Sequence, residues 1–403
     1  MPEVSFDNLL IVFVISVSVP LLLGLGPRWR VPSVVLEIIA GVIVGPSVLG
    51  WVQVDLPVQI LAIFGLAFLL FLAGVEIDLR QLRGRLLQIA LLGYVLTLLL
   101  GLGVGAGFGL LGWVQSPLLV AITLSATSLG LVVPVLKDAR QTDGETGQLT
   151  IASSSVADFA AILFLTLFFS ATGGSIGEKA SLLVIFAALV VAGGALLLRV
   201  RHSVRLGGVL TRLQDTTAEI RVRGAVLLLV ALVALAAHLG LEIILGAFLA
   251  GALVGLIDRD TSSHPRFRSK IEAIGYGFLV PIFFISSGVR LDLSGLLDEK
   301  SALLRVPLFL LALLVVRGVP AILSVRRIGR LHAAAAGLLQ ATSLPFIVTA
   351  TQIGVAAGLM SPVTAAGLVC AGLLSVMIFP AIALGLLRTA LHPASSIAVA
   401  SKG

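Results

Sequence analysis

Apolar runs long enough to cross a bilayer recur from one end of this chain to the other, and no polar domain interrupts them. Thirteen such spans are expected, at about 7–26, 32–50, 57–76, 86–112, 116–136, 147–170, 178–199, 219–238, 241–257, 272–290, 302–325, 332–356 and 362–388. With 58% hydrophobic and only 12% charged residues and a mean hydropathy of +1.15, the 403-residue chain cannot cover a water-soluble surface. The runs are continuous rather than alternating, which predicts helices and excludes a transmembrane barrel. A single cysteine, Cys370, excludes a disulfide framework. Leu9–Leu25 follows Glu3 and Asp7 with no early Lys or Arg, so it reads as a retained first helix rather than a signal peptide.

The net charge of +7 reports topology rather than nucleic-acid binding. With the N-terminus outside, the cytoplasmic segments hold Arg28, Arg30, Arg80, Arg83, Arg85, Lys137 and Arg140. They also hold Arg199, Arg201, Arg205, Arg212, Arg221 and Arg223, then Arg259, Arg266, Arg268 and Lys270. Arg326, Arg327, Arg330, Arg388 and Lys402 complete the set. The outer segments hold only Lys179, Arg290 and Lys300. The C-terminus is therefore expected in the cytoplasm. The 199–223 linker reads as a basic segment that favours anionic membrane lipid.

An internal repeat is visible. Leu36-Glu37-Ile38-Ile39 recurs as Leu241-Glu242-Ile243-Ile244, Gly74-Val75-Glu76-Ile77-Asp78-Leu79 as Gly288-Val289-Arg290-Leu291-Asp292-Leu293, and Ala126-Thr127-Ser128-Leu129 as Ala341-Thr342-Ser343-Leu344. The offsets are nearly equal and place each pair an odd number of spans apart, so the second copy is inverted. This is the architecture of secondary transporters. A first repeat over 7–170, a linking span over 178–199 and a second repeat over 219–388 are expected, with no soluble regulatory domain.

The third match puts Thr127 and Ser128 near Pro134 in the fifth span, and Thr342 and Ser343 beside Pro345 in the twelfth. Proline removes a backbone donor. Groups freed in a bilayer must face protein or water. Two interrupted helices are therefore predicted to cross near the midplane; ordinary proline kinks are the plainer alternative.

The stretch Thr150–Ser170 carries one carboxylate, Asp158, with Ser155 and Ser154 three and four residues earlier on the same helix face. Charge at that depth is costly and marks function by default. A carboxylate in an apolar cavity can hold either a proton or a cation, and the two exclude each other. Ser154, Thr127 and a freed carbonyl of the fifth span supply further oxygens for a hard alkali cation. The plainer reading bonds Asp158 to Ser155 and Arg317 to hold helices together. Arg317 lies mid-span in Leu-Leu-Val-Val-Arg-Gly-Val-Pro and stays protonated. It compensates charge, either at the ion site or at opposed carbonyl ends. With one titrating carboxylate, electroneutral exchange is expected. Glu37 and Glu242, near span starts, read as interfacial residues that are solvated or cap a helix. His202, His264 and His332 read as solvated loop residues, and His238 as interfacial.

These residues resemble the monovalent cation:proton antiporter-2 family. Pro32–Gly50, with Leu36 through Gly41 and Gly45-Pro46-Ser47, is similar to its second helix. Phe71-Leu72-Ala73-Gly74-Val75-Glu76-Ile77-Asp78 also resembles the family, and Pro281-Ile282-Phe283-Phe284 through Gly288 and Asp292 is similar to its tenth helix. The resemblance spans essentially the whole chain. It implies the sodium/proton antiporter fold, all-α and polytopic, with thirteen helices, two inverted six-helix repeats and crossed discontinuous helices. It also implies a homodimer in the bacterial inner membrane, a mobile core that moves like an elevator, and exchange of Na+ or K+ for H+ without a cofactor. Asp158 matches the family's ion-binding aspartate, Ser154 and Thr127 match oxygen ligands, and Glu76 matches a contributing acid. Arg317 matches a basic residue that is Lys in electrogenic members. The position before the aspartate is Asp, Gln or Asn in the family and is Ala157 here. The alternative within this fold is an organic-anion or drug exporter, which needs a roomier cavity. A membrane enzyme lacks its catalytic motifs, and a channel lacks a filter-like loop.

Overall fold

A computed structural model describes residues 5–25, 32–77, 84–138, 140–142, 144–169, 175–201, 219–257, 266–298 and 300–391. The expected loop residues Arg28, Arg30, Asp78, Arg80, Arg83, His202, Arg205, Arg212, Arg259, His264 and Lys402 lie outside them. Every regular element among the described residues is a helix. Ten helices are long and apolar enough to cross a membrane. The other three expected spans fall on shorter apolar segments, Ser33–Val44, Pro117–Val133 and Ile243–Ile257. A count of thirteen crossings therefore depends on these three, not on helix length.

The chain divides into two compact units. Unit 1 takes residues 1–25, 37–79 and 162–290. It holds α1 (Asp7–Leu25), most of α2 (Ser33–Val44) and α3 (Leu56–Val75). It continues with α8 (Ile176–Arg201), α9 (Ile220–His238), α10 (Ile243–Ile257) and α11 (Phe267–Val289). Asp55 starts α3: its Oδ1 accepts from Val58 N at 3.1 Å, Pro57 lies in the first turn, and Asn8 Nδ2 donates to Oδ2 at 2.9 Å.

Glycine sets how close these helices lie. A Cβ on Gly74 would sit 2.1 Å from Phe248 O, and one on Gly251 would sit 1.9 Å from Phe71 O, so α3 and α10 touch backbone to backbone. Gly41 and Gly288 do the same for α2 and α11, each 2.1 Å from a carbonyl of the other helix. Small residues at crossings are how membrane helices gain close contact without a hydrophobic drive. The outward faces of α1, α8 and α9 are apolar and exposed, as at Leu22, Val184, Val191 and Leu227, which fits them for lipid.

Unit 2 takes residues 26–36, 80–161 and 291–403. It holds α4 (Gly84–Leu110), α5 (Pro117–Ser125), α6 (Leu129–Asp138) and most of α7 (Glu145–Phe169). It then holds α12 (Leu293–Asp298), α13 (Ala302–Ile328), α14 (Arg330–Gln340), α15 (Pro345–Ala356) and α16 (Pro362–Leu391). Ser116 and Pro117 begin α5 as N-cap and first helical residue. α13 widens into a π turn at Leu314–Gly318 just before Pro320, whose missing N–H frees a carbonyl one turn back. That turn carries Arg317.

Both predicted interruptions are present: α5 stops at Ser125 and α6 begins at Leu129; α14 stops at Gln340 and α15 begins at Pro345. Only the second break is set by proline, which occupies the first position of α15. In the first, Pro134 lies inside α6, and the chain opens upstream at Ala126-Thr127-Ser128. The extended backbone of Ala126 (φ −81°, ψ 158°) ends α5 there, and the polar groups it uncovers find partners in neighbouring helices.

Candidate functional site

The two breaks meet within unit 2. Ser128 N donates to Thr342 O at 2.9 Å, and Thr127 Oγ1 donates to Gln340 O at 2.7 Å. Backbone polarity released by one break is thus satisfied by the other, as a bilayer interior demands. Thr127, Ser128, Thr342 and Ser343 are all buried.

Asp158, half-buried on α7, faces the first break. Its Oδ1 accepts from Thr127 N at 2.9 Å and its Oδ2 from Leu129 N at 3.4 Å. The carboxylate therefore caps the N-terminus of α6, where unpaired N–H groups and the helix dipole favour negative charge. Ala157 beside it is fully buried and carries no second acid.

On the other side of Thr127 lies Arg317, 1% exposed. Its Nε and Nη2 both donate to Thr127 Oγ1, at 2.9 and 2.5 Å, and Nη1 donates to Thr97 Oγ1 at 3.3 Å. Thr127 is thus the shared partner of the two charges: its backbone N–H serves the carboxylate and its hydroxyl serves the guanidinium. The hydroxyl donates to Gln340 O while accepting from Arg317, so all of its hydrogen-bonding capacity is used.

Ser154 and Ser155 are buried on α7 one turn before Asp158, and Ser154 Oγ has no hydrogen-bond partner. A buried hydroxyl without a partner is uncommon enough to ask what it serves. Ser343 Oγ is in the same state at the second break, while Thr342 Oγ1 donates back to Leu338 O at 3.1 Å. Glu76 lies on the other unit, unit 1, where it is 4.0 Å from Arg268 Nη2 and lines a small cavity with Glu272 and Tyr276.

Three residues here were not singled out from the sequence. Thr97 holds the outer nitrogen of Arg317. The Tyr94 hydroxyl lies 3.1 Å from Ser125 Oγ at the end of α5. Ser375 on α16 straps the second break, its Oγ accepting from Ser343 N at 3.2 Å and lying 3.1 Å from Ser343 O. Isolated Thr, Tyr and Ser residues in apolar helices carry no pattern of their own; only their tertiary convergence distinguishes them. Among the described residues no group of three or more His, Cys, Asp or Glu could hold a metal ion.

Broken membrane helices meeting beside one carboxylate and one buried guanidinium define the class of polytopic secondary transporters. The chain belongs to the sodium/hydrogen exchanger family: residues 13–388 match the family described as Sodium/hydrogen exchanger, transmembrane. This agrees with the resemblance to monovalent cation:proton antiporters. The chain is 34% identical over 371 residues to the Putative Na(+)/H(+) antiporter YjbQ of Bacillus subtilis, a match covering 88% of this chain and 58% of that protein. It is 26% identical to the Probable Na(+)/H(+) antiporter 3 of Methanocaldococcus jannaschii, covering 83% of this chain and 84% of the relative. These relatives are named as transporters rather than enzymes. The solved sodium proton antiporter MjNhaP1 of Methanocaldococcus jannaschii shares the fold, with a TM-score of 0.66, 17% identity, and 96% and 99% of the two chains covered.

Proposed function

We propose that this protein exchanges a monovalent cation, Na+ or K+, for H+, with Asp158 as the group for which the two compete. The observation that carries the reading is the setting of that carboxylate: capped by N–H groups at a helix break, half-buried, with the unbonded hydroxyl of Ser154 one turn away on the same helix. A cation arriving there meets carboxylate oxygen and a hydroxyl with an unused lone pair. A proton arriving there neutralises the carboxylate and removes the reason for the cation to stay. The names of the relatives support these ions: most print Na+ and H+, and one, the Na(+)/H(+)-K(+) antiporter GerN of Bacillus cereus, prints K+ as well.

Arg317 keeps its positive charge through the cycle, and Ala157 adds no second acid, so exchange is one for one and electroneutral. Thr127 and Ser128 with Thr342 and Ser343 form the crossing that moves with the ion. Glu76 remains a candidate contributor from unit 1. The inverted repeats run over 7–170 and 219–388, joined by the span at 178–199. Support comes from the glycine crossings, since exchanging α2 with α10 and α3 with α11, as the sequence matches do, converts the α2–α11 crossing into the α3–α10 crossing and Gly288 into Gly74. The unit is a homodimer in the bacterial inner membrane, N-terminus outside and C-terminus cytoplasmic, working by an elevator-type movement.

The test is transport in proteoliposomes with an internal pH dye, each alkali cation added in turn, with and without an imposed membrane potential. Wild type should move protons on cation addition at a rate independent of potential, and Asp158→Asn should be inactive. Normal exchange by Asp158→Asn would remove this carboxylate from the mechanism. A rate that follows potential as two protons per cation would overturn electroneutrality alone.

A further inference from the structure

We infer that unit 1 holds a binding site for one anionic phospholipid in a crevice between α9, α10 and the start of α11. The crevice is about 380 Å³, within the ~300–1,000 Å³ typical of small-molecule sites. Its walls are Gly224, Leu228 and Ala231 of α9, Val254 of α10 and Phe267 of α11, and its one charged lining residue is Arg221.

Its length and polarity select the occupant. Arg221 and Ala231 are ten residues apart on one helix, about 15 Å of rise. That is half of the ~30 Å hydrocarbon thickness, the depth of one leaflet. An apolar channel of leaflet depth with a guanidinium at its entrance fits a single acyl chain below an anionic headgroup. The entrance is basic beyond Arg221. Arg223 lies beside it in the first turn of α9, and Arg266, Arg268 and Lys270 begin α11. Among the described residues the acids at this end are paired, Glu219 with Lys270 at 2.7 and 2.9 Å, Glu272 with Arg268 at 2.8 Å and Glu76 with Arg268 at 4.0 Å, and the bases outnumber them. Both helices also turn their N-termini, the positive ends of their dipoles, toward the same place. A zwitterionic lipid gains the apolar contact but forfeits most of this attraction.

Gly224 makes the site testable without unfolding it. A Cβ there meets nothing within 4 Å, so a large side chain occupies the crevice rather than the helix packing. Gly193 on α8 is also open and lies outside the crevice, which makes it the control. The full chain, purified in detergent, is mixed with phosphatidylglycerol or with phosphatidylcholine of identical chains and examined by native mass spectrometry. Wild type should retain phosphatidylglycerol in preference to phosphatidylcholine. Gly224→Phe should lose that adduct while Gly193→Phe keeps it, and Arg221→Gln should cut the preference about fivefold while still retaining lipid. Equal retention of the two lipids by wild type would overturn the proposal. So would unchanged binding by Gly224→Phe, or no adduct at all.

Discussion

Replacing Thr127 by Val separates the two halves of the site, because Asp158 bonds the Thr127 backbone and Arg317 bonds its side chain. Valine has the same shape but no hydroxyl. Arg317 then keeps only Thr97 as its hydroxyl partner, and the carbonyl of Gln340 loses its donor. A hydrogen bond to a charged donor contributes about 1.5–3 kcal/mol and a neutral one about 1 kcal/mol. The two Arg317 contacts share one oxygen and count once, giving a loss of about 2.5–4 kcal/mol. Thr127→Ser keeps the oxygen and sacrifices one buried methyl group, about 1 kcal/mol. The per-residue entropy of unfolding converts this to roughly 1 °C per kcal/mol for 403 residues. Thermal unfolding in detergent at one scan rate should therefore place Thr127→Val about 2.5–4 °C below wild type and Thr127→Ser about 1 °C below. In proteoliposomes the serine variant should retain exchange and the valine variant should lose it. Equal melting points for the two variants would refute the claim that this hydroxyl anchors the guanidinium.

Ser154→Ala breaks no hydrogen bond, so its melting point should match wild type while KM for the cation rises about fivefold, the worth of one neutral contact; a lowered melting point with unchanged KM would make Ser154 structural. Ser375→Ala leaves the backbone of Ser343 without its strap and should cost about 1–3 kcal/mol in the same unfolding assay. Gly251→Ala drives a methyl into the Phe71 carbonyl and should abolish monodisperse elution in size-exclusion chromatography, whereas Gly193→Ala, which meets nothing, should elute as wild type.

Much of this was legible in the sequence for a plain reason. A bilayer demands continuous apolar helices, so every departure stands out. Asp158, Arg317 and the repeated Ala-Thr-Ser-Leu are such departures, and the structure places Asp158, Arg317 and both breaks around one residue. The role of Thr127 was half visible: an oxygen was expected to be available there, but its hydroxyl is committed to Arg317 and Gln340. Pro134 pointed to the right span and the wrong turn, because the break depends on side chains and backbone from α7 and α14 that no local pattern encodes. Thr97, Tyr94 and Ser375 were silent for the same reason. A lone hydroxyl in a membrane helix ordinarily bonds its own backbone, and sequence does not show when it reaches elsewhere.

The glycine crossings of unit 1 carry a consequence for how this protein tolerates change. Where main chains rest directly on one another, the spacing between helices is a fixed dimension, independent of which aliphatic residues flank it. Neighbouring positions on α3 and α10 can exchange Leu, Ile and Val without altering the gauge of the framework. A single carbon atom added at Gly74 or Gly251 resets it.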